Sequence, residues 1–190
     1  MAKQLVKLFI LISSIFYLSG CVTKPEPVPA QPLTEPVHLS FSVSGKLGVR
    51  GDQISESARF NWTQNKQTFD LSLIDPFGRQ VMRLTGNDRF AKLETDDQQS
   101  YVADSAESLM QELLGWQLPV NHALYWIQGR PDPRQPFVAK ESGQFLQNEW
   151  QISTLAHTTL SSGKTVPRKI KMSHTQLDVT LIISDWQFPH

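Results

Sequence analysis

The sequence predicts a mostly β protein in which one curved antiparallel sheet carries two short helices over its open side. Three observations predict this architecture. Between residues 39 and 95, apolar residues recur at every second position and short turns interrupt them, which is typical of strands that pair as antiparallel neighbours. Around residues 104–128 the apolar spacing becomes helical, and after Phe137 the period of two returns. The helices and the sheet then each cover the apolar face of the other.

The first half of this region is predicted to be a meander of short strands. The alternating apolar residues of the first three strands are Phe41, Val43, Leu47, Val49, Ala58, Phe60, Trp62, Phe69, Leu71 and Leu73. Tight turns are predicted at Gln64-Asn65-Lys66 and at Asp75-Pro76-Phe77-Gly78, because these residues favour turns. A fourth strand at Val81 to Thr85 and two shorter strands complete the meander.

The middle of the chain carries the helical signals. Asp104 and Glu107 have the spacing of a capping box, which predicts that a helix begins after Asp104. Five apolar residues follow at helical spacing and Gly115 ends them: Ala106, Leu109, Met110, Leu113 and Leu114. A second helix is predicted from Pro119 or Val120 to Gln128. The β pattern then returns at residues 145–155, 170–172 and 177–183.

Residues 1–20 have the features of a signal peptide. A positive start at Lys3 and Lys7 precedes an apolar run over residues 8–18 that is too short to span a bilayer. Leu18-Ser19-Gly20-Cys21 resembles the lipobox of bacterial lipoproteins, which predicts cleavage after Gly20 and acylation of Cys21. The alternative is an ordinary secretory signal that happens to hold a cysteine.

Residues 21–37 are predicted to be an extended tether, and residues 38–190 the folded domain. The tether carries five prolines and no apolar periodicity. Cys21 is the only cysteine, so acylation leaves no thiol for a disulfide or a nucleophile. Val22 follows it in place of the Asp that usually retains a lipoprotein in the inner membrane, which favours the outer membrane. Without Lys3 and Lys7 the chain has 16 basic and 18 acidic residues, which does not favour a nucleic-acid partner.

Motifs for catalysis are missing from the sequence. The chain has no G-x-S-x-G motif, and Ser161-Ser162-Gly163-Lys164-Thr165 lacks the first glycine of a phosphate-binding loop because residue 158 is Thr. The five histidines are scattered without zinc spacing. We therefore expect no catalytic residues, no metal and no cofactor. A hydrolase whose triad comes from distant residues is the remaining enzyme alternative.

Two apolar features are informative. The chain holds Trp62, Trp116, Trp126, Trp150 and Trp186, which either pack in the core or wall a cavity for an apolar ligand. Phe77 falls between Pro76 and Gly78 at the tip of a predicted hairpin. Its ring either faces water or folds back onto the sheet.

Together these residues resemble the LolB family of outer-membrane receptors, which accept lipoproteins from the periplasmic carrier LolA. The resemblance spans the chain from the lipobox to the last strand. Its motifs are Ala58-Arg59-Phe60-Asn61-Trp62, Asp75-Pro76-Phe77-Gly78, the set Tyr101, Ala103, Asp104, Ala106 and Glu107, then Pro119-Val120-Asn121, Trp126-Ile127-Gln128-Gly129-Arg130-Pro131, Trp150 and Asp185-Trp186.

This resemblance implies an unclosed β-barrel with a lid of short helices over a hydrophobic cavity that binds acyl chains. Cys21 is the expected lipidation site, and Pro76, Phe77 and Gly78 form the expected membrane-insertion loop, where Phe77 replaces the leucine of a family member. The side chains expected at the cavity and lid are Trp62, Trp126, Trp150, Trp186, Leu109 and Leu113.

The partners implied by the resemblance are the carrier LolA, the acyl chains of cargo lipoproteins and the inner leaflet of the outer membrane. The protein is expected to act as a monomer and to bind no nucleic acid. The alternative function is a non-catalytic scaffold lipoprotein of envelope assembly, with a packed core in place of a cavity.

Overall fold

The computed structural model describes residues 39–52, 54–115, 117–175 and 177–189. The predicted signal peptide, the acylation site Cys21 and the tether lie outside the described residues, as does Trp116. Within the described ranges, eleven strands form one antiparallel sheet in the order β6-β5-β4-β3-β2-β1-β11-β10-β9-β8-β7. The two edge strands, β6 and β7, do not pair with each other. The predicted fold, an unclosed antiparallel barrel with helices over its open side, is confirmed.

The strands occupy two blocks of the chain, one on each side of the helices. Their bounds are β1 Ser40–Gly51, β2 Ser55–Asn65, β3 Thr68–Ile74, β4 Gln80–Gly86, β5 Ala91–Thr95, β6 Ser100–Ala103, β7 Val138–Ala139, β8 Gln144–Gln147, β9 Trp150–Thr159, β10 Thr165–His174 and β11 Leu177–Gln187. β1 pairs with β2 on one side and with β11 on the other, so the two blocks join along the centre of the sheet.

The first predicted turn is displaced by two residues. Strand β2 continues to Asn65, and the turn is formed by Lys66 and Gln67. Gln64 belongs to the inner face, where its side chain is buried and accepts a hydrogen bond from the Trp62 indole at 3.0 Å. Its amide nitrogen also donates to the carbonyl of Lys66 at 2.9 Å. A polar residue that the sequence pattern assigned to a turn is therefore a buried strand residue, because it satisfies the indole N–H.

Two helices, α1 (Ala106–Leu114) and α2 (Val120–Trp126), connect β6 to β7. The predicted capping box is wrong: Ser105 is the N-cap, and its hydroxyl accepts the backbone N–H of Ser108 at 3.1 Å. The shorter serine side chain can cap the helix from a position one residue closer to it. The predicted end of α1 is confirmed, because Gly115 has a φ of 74° and its N–H donates to the Gln111 carbonyl.

Helix α2 ends two residues earlier than predicted and continues as a turn over residues 127–129. Gly129 closes this turn with a φ of 73°. A Cβ at this position would lie 2.9 Å from the Thr154 hydroxyl and 3.3 Å from the Pro167 ring. Glycine is therefore required both for the backbone conformation and for the close approach of the turn to the sheet.

The apolar segment at residues 145–155 forms two strands. β8 and β9 are joined by Asn148 and Glu149, whose φ angles are 50° and 66°. Two consecutive positive φ angles are typical of a type I′ turn, which connects antiparallel strands with the twist that the sheet needs. This hairpin brings Gln147 and Trp150 beneath helix α2.

Candidate functional site

The connection between β3 and β4 is a closed turn that presents Phe77 to solvent. The Asp75 carboxylate accepts the backbone N–H groups of Phe77 at 2.8 Å and of Arg79 at 2.9 Å. The Asp75 N–H donates to the Arg79 carbonyl, and the Gly78 N–H donates to the Asp75 carbonyl. These bonds satisfy the turn internally, and Phe77 remains 86% exposed. The interpretation that its ring folds back onto the sheet is therefore wrong.

Electrostatic contacts reinforce the same turn. The Arg79 guanidinium donates to the second carboxylate oxygen of Asp75 at 2.8 Å. The hydrogen bond from the Arg79 backbone N–H, followed by those from its side chain, lowers the pKa of Asp75. The carboxylate is consequently ionised at neutral pH and remains a strong acceptor. Gly78 has a φ of 89°, which a residue with a side chain rarely adopts.

The four described tryptophans form two separate groups. Trp62 and Trp186 oppose Val43 from the two sides of β1, and both contact Phe41 edge-on at centroid distances of 5.8 and 5.5 Å. The Trp186 indole donates to the Pro167 carbonyl at 2.8 Å. Because both indoles are buried and hydrogen-bonded, this group fills one end of the sheet interior.

The second group, Trp126 and Trp150, joins helix α2 to β9 with a centroid distance of 6.0 Å. The strand register places Trp150 level with Gly51, eight positions along β1 from Val43. At 3.3 Å per residue, that separation is roughly 26 Å along the strand. One compact aromatic wall built from all four residues is therefore absent from the described part of the chain.

A cavity of about 1020 Å³ opens at the end of the sheet where Trp150 lies. Its wall includes residues from α1, from the start of α2 and from three strand connections. The lining residues are Gly51, Asp52, Ile54, Glu107, Gln111, Gly115, Gln117, Pro119, His122, Asn148, Glu149, Trp150, His174 and Leu177. Of the six side chains expected at the cavity, Trp150 alone lines this opening. Its rim is therefore more polar than the sequence suggested.

Deeper in the barrel, several inward-facing apolar residues are only half-buried. Leu71 opposes the buried Trp62 and Leu84, and Leu73 opposes the buried Phe60 and Met82, so both point inward. The half-buried residues that pack against the core from β1, β3, β6 and α1 include Leu47, Leu71, Leu73, Tyr101 and Leu113. We name this set the inner strip. Its incomplete burial indicates that the interior beside these residues is not fully packed.

The remaining expected cavity residues occupy distinct surroundings. Leu109 is buried in the core, and Leu113 belongs to the inner strip. Trp126 is fully buried. Sequence reasoning named Leu113 but no other member of the inner strip, although the alternating pattern already assigned Leu47, Leu71 and Leu73 to one face.

A buried polar network anchors helix α2. Asp132 is fully buried, and its carboxylate contacts His122 Nδ1 at 2.7 Å and accepts from the Arg134 guanidinium at 2.8 Å. Burial opposes ionisation of Asp132, but the hydrogen bonds from His122 and Arg134 outweigh it and lower the pKa of the carboxyl. No motif in the sequence identified this residue, because its partners come from separate segments.

Gln147 on β8 completes the anchor. Its carbonyl oxygen accepts the Trp126 indole N–H at 2.8 Å and the Asp132 backbone N–H at 2.9 Å. Its amide nitrogen donates to the carbonyls of Asp132 and Gln135. One buried side chain therefore connects α2, the loop after it and the sheet, and all of its hydrogen-bonding groups are used.

The described residues contain no group of three or more His, Cys, Asp or Glu side chains placed to hold a metal ion. Neither α1 nor α2, with nine and seven residues, is long enough to cross a membrane, and the described part of the chain has no other helix that is.

Comparison with solved structures shows the architecture in another protein. A DUF1329 family protein from Desulfovibrio piger superimposes with a TM-score of 0.52 at 5% identity, covering 80% of this chain and 86% of that one. A LolA superfamily protein from Nitrosomonas europaea gives a TM-score of 0.47 at 9% identity over 80% of this chain and 87% of that one.

Comparison of sequences is more specific. The family described as outer membrane lipoprotein LolB matches residues 39–186. The outer-membrane lipoprotein LolB of Pseudomonas syringae pv. syringae is 36% identical over 194 residues, covering 94% of each chain. That of Pseudomonas aeruginosa is 34% identical over 198 residues, covering 96% of each. The chain therefore belongs to the LolB family of outer-membrane lipoproteins.

Proposed function

We propose that this protein accepts lipoproteins from the periplasmic carrier LolA, holds their acyl chains between the sheet and the helices, and inserts them into the outer membrane. The observation that carries the proposal is Phe77, which is 86% exposed at the tip of a turn that Asp75 closes. Leaving a phenylalanine unburied forgoes roughly 2 kcal/mol. Contact with a bilayer during delivery supplies the reason for that exposure.

The energetics of lipid transport require a shielded site. An acyl chain exposed to water costs on the order of 0.8 kcal/mol per methylene, which amounts to tens of kcal/mol for three chains. The sequence carries no nucleotide-binding motif, so we infer that transfer runs downhill from carrier to receptor to membrane. Apolar contact suits this task because it is non-directional and independent of the cargo sequence.

The inner strip and the cavity are the proposed acyl site. Leu47, Leu71 and Leu73 offer an apolar sheet surface, and Leu113 on α1 packs against the same core. The opening lined by Trp150 is the proposed route into this interior. Because α2 is anchored through Gln147 and Asp132, we expect α1 to adjust more readily when acyl chains enter.

A three-part experiment tests the function. The protein is first titrated with a fluorescent fatty acid, which we expect to bind at a fixed stoichiometry and to be displaced by a palmitoylated peptide. An acylated lipoprotein bound to LolA is then mixed with the protein and finally with liposomes. We expect the lipoprotein to move to each in turn. Absence of probe binding together with absence of transfer would support the alternative, a scaffold lipoprotein with a closed core.

A further inference from the structure

A row of basic residues crosses the outer face of the sheet at its centre. Lys46 on β1 is directly opposite Arg59 on β2 and Ile182 on β11, and Ile182 is directly opposite Lys169 on β10. Residues directly opposite each other share one face of a sheet. Buried residues lie next to three members of the row: Phe60 next to Arg59, Ile170 next to Lys169, and Leu181 and Ile183 on either side of Ile182. The row itself is exposed, so it points outward. We name Arg59, Lys46, Ile182 and Lys169 the basic row.

The charges of the basic row are not neutralised by the acidic residues of the same face. Among the described residues, no carboxylate forms an ion pair with Lys46, Arg59 or Lys169. Two nearby carboxylates are engaged elsewhere: Asp178 pairs with Lys171 at 2.9 Å and Asp70 pairs with Arg83 at 2.6 Å. Asp185, opposite Ser44 on the same face, accepts a hydrogen bond from Gln187 at 2.9 Å. All three cations are exposed. A chain with balanced charge overall therefore concentrates three free positive charges across four strands, a width of roughly 14 Å.

The basic row is continuous with the Phe77 turn. Arg59 pairs with Ile74, the last residue of β3, and the turn begins at the next residue. A Cβ on Gly78 would lie 3.8 Å from the Arg59 guanidinium, so this side chain reaches the turn itself. Ile182 adds a second exposed apolar side chain, 43% accessible, within the row. Apolar tips interspersed with cations form one contiguous surface.

We infer that the basic row is a membrane-docking surface that binds the anionic phospholipid headgroups of the target bilayer and orients the Phe77 turn toward it. This inference rests on the proposed function, because it assigns the surface that places the insertion turn at the membrane. Lys and Arg near an anionic bilayer each contribute about fivefold to partitioning. Three such residues supply on the order of 100-fold, which is enough to align an already anchored domain.

The structure favours a lipid surface over a protein partner for two reasons. On β1 and β2 the row is bordered by short side chains, Gly48 and Ser57 on one side and Ser44 and Asn61 on the other, which provide no pocket for a specific protein side chain. The cations are long and exposed, which suits headgroups that have no fixed positions. Ser40 follows Cys21 by 19 positions, so the lipid anchor keeps the surface within roughly 65 Å of a bilayer.

The test measures binding of the unlipidated mature chain, residues 21–190 with Cys21→Ala, to sedimented vesicles. One set contains phosphatidylethanolamine and phosphatidylcholine only, and the other adds phosphatidylglycerol. We expect tighter binding to the second set, and we expect added salt to weaken it because the charges are exposed. Replacing Lys46, Arg59 and Lys169 together by Gln is expected to lower that binding on the order of 100-fold.

The matched control replaces three other exposed cations, Lys66, Arg89 and Lys140, by Gln, which changes the net charge by the same amount. We expect this control to retain binding. Equal binding by the two triple variants overturns the inference, as does equal binding of the unsubstituted chain to both vesicle sets. The inference is also overturned if the Lys46, Arg59 and Lys169 variant no longer takes up lipoproteins from LolA but still binds vesicles, because the row would then contact the carrier.

Fatty-acid binding measured in the same samples separates this inference from the proposed function. Absence of probe binding by the unsubstituted chain contradicts the proposed function and leaves the vesicle result standing. Normal probe binding by the Lys46, Arg59 and Lys169 variant, with its vesicle binding lost, supports the docking surface.

Discussion

His122 Nδ1 on helix α2 lies 2.7 Å from the Asp132 carboxylate in the loop that follows the helix. Arg134 donates to the same carboxylate, and its guanidinium lies 5.4 Å from the centre of the Tyr125 ring. One buried carboxylate therefore holds three consecutive segments: the start of α2, its last turn and the exit loop. This arrangement anchors half of the helical lid.

Asp132→Asn is expected to lower the free energy of unfolding by about 2 kcal/mol at neutral pH, because it removes a buried carboxylate that accepts hydrogen bonds from His122 and Arg134. The folded-state pKa of Asp132 is lowered below its ordinary value of 3.8. Its stabilising contribution is therefore complete above that value and is lost as pH falls through the folded-state pKa. We expect the difference in free energy of unfolding between the unsubstituted protein and Asp132→Asn to be constant above pH 4 and to become smaller below it.

Urea unfolding across this pH range measures the effect. Asp185→Asn is the matched control, since Asp185 is exposed and its carboxylate accepts only from Gln187 among the described hydrogen bonds; its change should be within 0.5 kcal/mol or so. Equal stabilities of Asp132→Asn and the unsubstituted protein at neutral pH would show that the network does not anchor the lid.

Phe77→Glu is expected to leave the fold and fatty-acid binding intact but to stop delivery of lipoproteins to liposomes. The ring is exposed, so its replacement costs little stability, whereas a carboxylate at the tip disfavours entry into a bilayer. Phe77→Leu should preserve most of the delivery, because it keeps an apolar tip. Thermal melting and the transfer assay measure both properties.

A sharply lower melting temperature of Phe77→Glu would mean that the ring contributes to packing. A stable Phe77→Glu protein that still delivers normally would place the membrane contact elsewhere.

Asp75→Ala is expected to loosen the turn and slow delivery without changing the melting temperature appreciably. The substitution removes the acceptor of the Phe77 and Arg79 N–H groups. Asp75→Asn keeps that acceptor and loses the ion pair, so it should behave more like the unsubstituted protein. Hydrogen exchange at the Phe77 amide measures how often the turn opens. Equally fast exchange in Asp75→Ala and Asp75→Asn would show that the negative charge of Asp75, and not its acceptor oxygen alone, keeps the turn closed.

Palmitoylated ligand is expected to shift the tryptophan fluorescence mainly through Trp150, which lines the cavity. Trp150→Phe should therefore remove most of the shift. Trp186→Phe is the control, because Trp186 belongs to the opposite group and donates to the Pro167 carbonyl. A shift that survives Trp150→Phe and disappears in Trp186→Phe would show that the acyl chains contact the Trp186 group and not the opening lined by Trp150.

Cys21→Ala is expected to yield a soluble protein that still takes cargo from LolA in vitro. The core that forms the interior begins at Phe41, well beyond the acylation site. The transfer assay with purified LolA measures how much cargo the unlipidated protein accepts. Failure of the unlipidated protein to accept cargo, with its fold intact by circular dichroism, would mean that the acyl anchor takes part in the handover.

The sequence by itself determined the strands, the helix ended by Gly115 and the position of the Phe77 turn. Alternation with a period of two, helical spacing and turn residues are local properties, and each can be read within about ten residues. The same locality explains the errors. Whether Asp104 or Ser105 caps α1 depends on side-chain reach, and the burial of Gln64 depends on the Trp62 indole beside it.

Only the tertiary structure decided how distant segments meet. It separated Trp62 and Trp186 from Trp126 and Trp150, because strand register places the two pairs at different levels of the sheet. It gave Asp132 its role by bringing Gln147 and His122 around it, and it aligned Lys46, Arg59 and Lys169 across four neighbouring strands. Charge pairing and burial arise from contacts between residues far apart in the chain, which a local pattern does not contain.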